Sequence, residues 1–158
     1  MLGLAIASAL TDEPQLPPLH TAARAGDCAA ARALIDAGAA PDALAPGALT
    51  PLLLAASAGH SELVALLIAR GARVNHQRAD GTTPLCAAAA GAPSAGRVEC
   101  ARRLLESGAD PSITRASGAG PFYLAAAVES SDGRSANPAM VKLLSEYAAR
   151  SAPKLGSS

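Results

Sequence analysis

Four short motifs return along the chain at nearly constant spacing: Pro17-Pro18-Leu19-His20, Thr50-Pro51-Leu52-Leu53, Thr83-Pro84-Leu85-Cys86 and Gly120-Pro121-Phe122-Tyr123. Their second residues stand 33 apart over the first three units and 37 apart at the last. An alanine pair follows each motif: Ala22-Ala23, Ala55-Ala56, Ala88-Ala89 and Ala125-Ala126. A second apolar stretch closes each of the first three units in register, with Leu34-Ile35, Leu67-Ile68 and Leu104-Leu105 leading into Gly38, Gly71 and Gly108. Such a period restricts the chain to a stack of like units, because one unit cannot bury its apolar face alone.

The signature residues each have a physical role in this arrangement. Thr50 and Thr83 precede a proline and an apolar run, the pattern of a helix N-cap with Pro at the first helical position. The alanine pairs suit places where neighbouring helices approach closely, since a larger side chain would push the stack apart. Gly38, Gly71 and Gly108 suit the left-handed position that ends a second helix and releases a hairpin. Composition agrees: half of the residues are hydrophobic but only 2 per cent are aromatic, so the apolar content favours closely packed, slender helices.

The period and the T-P-L-H-like signature resemble the ankyrin repeat over about Leu16 to Arg150. The resemblance implies an all-α solenoid of about four helix-turn-helix repeats joined by hairpin loops, with repeats at about 16–48, 49–81, 82–118 and 119–150. Gly71 to Leu85 is the best-matching stretch. The fourth unit departs from the pattern, because Tyr147 stands where the earlier units have glycine, so its last helix is expected to continue through Arg150. Lys142, Ser145, Glu146 and Arg150 are expected to give that helix a polar outer face. Repeats three and four carry insertions between their helices, and Gly91 to Arg97 and Glu129 to Asn137 are expected to be extended polar loops. Stacking would join them as one polar ledge opposite the hairpin tips. Residues 151–158 read as a disordered tail.

The segment 1–15 is apolar over Met1 to Leu10 and ends in Ala7-Ser8-Ala9, but lacks a basic leader. It reads either as a cap helix or as the remnant of an export signal. The corresponding expectation is a cytoplasmic protein, with a periplasmic or secreted one as the alternative. The apolar run is too short to span a membrane.

Thirteen basic and thirteen acidic residues leave no net charge, which removes the electrostatic case for a nucleic-acid partner. Cys28, Cys86 and Cys100 are odd in number and irregularly spaced, the pattern of packed thiols and not of a disulfide framework or zinc site. His20, His60 and His76 share no metal-ligating spacing. His20 is the signature histidine, for which the resemblance implies a structural hydrogen bond between helix start and neighbouring turn. No acid, base and nucleophile constellation stands out, so neither catalytic residues, metal nor cofactor is expected.

The expected function is therefore a protein-protein interaction module, an adaptor or inhibitor, acting as a monomer on an unidentified protein partner. An exported stress-protective or chaperone-like accessory protein is the alternative. The resemblance implies that binding uses hairpin tips and first helices, which maps onto Arg24, Leu44, Pro46, Leu49, Ser57, Gln77, Arg78, Asp80, Thr114 and Arg115. Arg78 and Arg115 lie seven residues after Gly71 and Gly108, so they are expected to project side by side.

Overall fold

The computed structural model describes residues 16–127 and 137–151 of the 158-residue chain. The readings of the segment 1–15, of most of the second insertion and of residues 152–158 lie outside the described residues. Within them, helices α1 (Pro18–Ala25), α2 (Cys28–Asp36), α3 (Pro51–Ala58), α4 (Ser61–Ala69), α5 (Pro84–Ala89), α6 (Ala95–Glu106), α7 (Pro121–Ala127) and α8 (Pro138–Ser151) follow in order. Each odd-numbered helix pairs with the even-numbered helix after it, and each row packs along the stack, α1 on α3 on α5 on α7 and α2 on α4 on α6 on α8.

Helix starts follow the expected chemistry. Thr50 and Thr83 hold extended backbone, and their side chains accept from Leu53 N and Cys86 N, each at 3.2 Å. Asn137 does the same for α8, accepting from Met140 N at 3.1 Å, while its own N donates to Ala125 O at 3.0 Å. Helix ends are equally regular. At Gly71, with φ at +90°, Gly71 N donates to Ile68 O and Ala72 N to Leu67 O, a double bond pattern that closes the last turn of α4. Gly38 and Gly108 repeat that pattern after α2 and α6.

Between the rows, Leu52, Leu63, Leu67, Leu85, Leu104 and Leu105 are fully buried. Each contributes about 1.5–3 kcal/mol relative to exposure. Ala23, Ala55, Ala56, Ala88 and Ala125 fill the narrow contacts where the expectation placed small residues. Successive repeats are also stitched through polar groups. Arg73 N donates to Asp42 Oδ1 at 2.9 Å, and one repeat later Asp110 N donates to Asn75 Oδ1 at 2.8 Å. Asn75 adds a bond to Gly108 O at 3.1 Å, which a carboxylate in its place could not donate.

The histidines serve this framework. A backbone carbonyl only accepts, so in each case the ring N–H donates: His20 Nε2 to Leu49 O at 3.0 Å, His60 Nε2 to Arg24 O at 3.2 Å and His76 Nε2 to Ala48 O at 3.2 Å. Cys86, standing at the signature histidine position, is fully buried with Sγ 3.7 Å from Ile113 O. In the fourth unit α8 runs on past Tyr147, whose hydroxyl donates to Leu105 O, and Lys142, Ser145, Glu146 and Arg150 are exposed as expected.

One expectation is overturned. The insertion at Gly91 to Arg97 is not an extended loop, because α6 begins at Ala95 and includes Arg97. Ser94 accepts from Arg97 N at 3.2 Å and caps the helix, so the extra residues lengthen α6 towards repeat two. A Cβ on Gly96 would fall 2.4 Å from Gly59 O, so only glycine lets the new turn lie against the end of α3.

Candidate partner-binding groove

The connections at residues 40–49, 73–82 and 110–119 form the expected hairpins. Ala45 and Leu49 exchange backbone bonds in the first, Arg78 N donates to Thr82 O in the second, and Arg115 N to Ala119 O in the third. Gly81 and Gly118 take left-handed backbone at the tips, with φ of +80° and +81°. Ala48 occupies the matching place in the first hairpin with φ at +56°, a conformation that costs a residue bearing Cβ about 1–2 kcal/mol. The bond from His76 helps to hold it there.

Between the hairpins and the first helices lies an open depression of about 420 Å³. Leu49, Leu53, Leu54 and Ser57 contribute to its floor from repeat two, and Arg78, Arg97 and Arg115 line it with positive charge. Leu49, Ser57, Arg78 and Arg115 of the expected set thus meet in one place. Arg24 and Leu44 are exposed outside it, as are Pro46 and Thr114, and Gln77 faces a separate depression lined by Ile68, Val74 and Ser107. Asp80 is exposed next to the groove. Hydrogen bonding from Thr82 holds its carboxyl below the usual carboxylate range, and the charges of Arg78 and Arg115 add to the effect.

The arginines are placed by specific contacts. Arg78 Nε donates to Gly47 O at 3.3 Å, and Arg115 Nε donates to the buried Thr82 Oγ1 at 2.9 Å, so each is tied to the hairpin one repeat earlier. Arg97 lies across Gly91, where an added Cβ would fall 1.0 Å from its Nη1. Sequence reasoning assigned Arg97 to a loop on the opposite edge. The signal for its true position is Ser94, a capping residue three positions before Arg97, followed by helical spacing of Val98, Ala101 and Leu105.

Cys86 and Cys100 are buried, and burial pushes the Cys100 thiol up to about 11. No cluster of three or more His, Cys, Asp or Glu occurs within metal-binding reach among the described residues. Nor is any described helix long and apolar enough to cross a membrane. Phe122 and Tyr123 at the start of α7 are exposed, although the matching residues of the earlier units, Leu19, Leu52 and Leu85 for Phe122 and His20, Leu53 and Cys86 for Tyr123, are buried. No fifth repeat lies among the described residues to cover them.

Comparison with known proteins agrees with the geometry. A family model described as three copies of ankyrin repeats matches residues 19–115, more than half of the chain. The match stops at the third hairpin, before the irregular fourth unit. The chain is 35% identical over 79 residues to the inactive serine/threonine-protein kinase TEX14 of Mus musculus, covering 50% of this chain and 5% of that protein. It is 41% identical over 51 residues to an ankyrin repeat-containing protein of Schizosaccharomyces pombe, covering 32% of this chain and 25% of that one. The similarity thus spans a quarter or less of the length of these relatives. With the helix pairs, the hairpins and the 33-residue register all in place, the chain belongs to the ankyrin-repeat family.

Proposed function

We propose that this chain is a non-catalytic adaptor or inhibitor that grips a partner protein between its hairpins and first helices. Ankyrin repeats are protein-protein interaction modules, and the observation that carries the finer reading is the groove itself. Four of the residues expected for binding converge there, between the hairpins and the first helices. A rigid repeat framework favours such a role, because side chains already held in place lose little entropy on binding.

Capture of partners from the native cell tests the reading. The intact chain should retain a defined protein, and Arg78→Gln with Arg115→Gln should release it while the thermal midpoint stays unchanged. Retention of nothing by the intact chain, or unchanged retention by the double variant, would count against the groove as the contact surface.

A further inference from the structure

The chain has no net charge, yet some of its cations are paired and others are not. Arg70 pairs with Asp36, Arg73 with Asp42 at 3.2 Å, Arg102 and Arg103 with Glu99 at 3.4 and 3.2 Å, and Lys142 with Glu146 at 4.0 Å. All five cations lie on or just after second helices. Arg78, Arg97 and Arg115, like Arg24, Arg32 and Arg150, have no carboxylate partner among the described residues, but these three line one depression together. No acidic residue lines the depression among the described residues, and Asp80 stands beside it, which leaves the groove electropositive.

Two of these guanidinium groups are fixed through Nε, so their Nη atoms remain available as donors. The third rests in space that Gly91 leaves open. Guanidinium forks bind carboxylates bidentately and are weakly hydrated, so desolvating them in a groove costs less than desolvating lysine. The floor beneath is apolar, provided by Leu49, Leu53 and Leu54. A duplex would need a broad basic surface, which a chain with no net charge and three arginines in one groove does not offer.

We infer that the groove receives an extended acidic segment of the partner, with Asp or Glu carboxylates on Arg78, Arg97 and Arg115 and apolar side chains on the leucine floor. This inference rests on the protein-binding reading and gives the partner a chemical class. The inserted turn of repeat three has a role in it, since it brings Arg97 from the second-helix row to the groove.

Fluorescence anisotropy on the full chain tests the idea with four probes: a short peptide alternating Asp or Glu with Leu, its Asn and Gln counterpart, a phosphoserine counterpart, and a single-stranded oligonucleotide of equal charge. The acidic peptide should bind roughly tenfold or more tightly than its amide counterpart, and the gap should close in the R78Q/R97Q/R115Q variant. Gly91→Ala, which alters no charge but takes the seat of Arg97, should weaken the acidic peptide a few-fold with the melting temperature unchanged. Equal binding of acidic and amide peptides would overturn the inference, as would an acid preference that survives in the triple variant. Tighter binding of the phosphoserine peptide or the oligonucleotide would overturn the carboxylate assignment. A chain that captures a native partner but shows no acid preference loses this inference alone, whereas capture of no partner removes the broader reading.

Discussion

The two sides of the stack use the same residue type for different ends. On the second-helix side, four arginines meet carboxylates of their own or the preceding repeat, as in Arg70 with Asp36 and Arg73 with Asp42. In the groove, Arg78 and Arg115 are anchored to a carbonyl and a hydroxyl, neutral acceptors that orient a guanidinium and leave its charge uncompensated. Exposed ion pairs of the first kind contribute little, about 0–1 kcal/mol each. On the proposed reading, charges of the second kind are the ones an external partner meets. The difference shows that a neutral composition describes this molecule poorly, because what matters for recognition is where the compensation is missing.

The contrast can be tested from its largest effect downwards. Leu104→Ala removes a fully buried side chain between the second helices and should cost about 2–5 kcal/mol in chemical denaturation. Leu54→Ala, on the half-buried groove floor, should cost clearly less. Equal losses would mean that the groove belongs to the core. Gly71→Val should cost about 1–2 kcal/mol, all of it backbone strain, since no neighbour lies within 4 Å of the added Cβ. In the groove Gly91→Ala should leave the denaturation midpoint in place, because it displaces only the far end of Arg97.

Smaller effects come from the hairpins. Asp42→Ala removes the stitch to Arg73 and should destabilise by about 0.5–1.5 kcal/mol, whereas Arg78→Gln should change stability by less. Ala48→Gly should stabilise by about 0.5–1 kcal/mol, relieving the left-handed alanine while loosening the unfolded chain. A loss of stability there would show that the strained conformation is absent.

The repeat framework was legible because its determinants are local and recurrent. Thr83 before Pro84, the alanine pairs and Gly71 each state a backbone requirement that holds wherever the motif recurs. The groove was legible in part. Arg78 and Arg115 share one register position, so their approach follows from the period. Arg97 does not, because it entered with an insertion that breaks the register, and Gly, Ser and Pro around it suggested a loop. The deciding contacts were Ser94 capping α6 and Gly96 lying against Gly59, and the second joins residues 37 apart through the absence of a side chain. Phe122 and Tyr123 were hidden for a related reason. Their motif matches a buried position, and only the stack shows that the repeat which would bury them is not among the described residues.

The most direct measurement compares the two sides on one partner. Affinity for a captured partner protein is measured at constant salt for the intact chain, for Arg78→Gln with Arg115→Gln, and for Arg70→Gln with Arg73→Gln. The account predicts that the groove variant loses roughly tenfold or more in affinity with an unchanged melting temperature. The second-helix variant should keep its affinity. Loss confined to the second-helix variant, or equal loss in both, would contradict the assignment of binding to the groove.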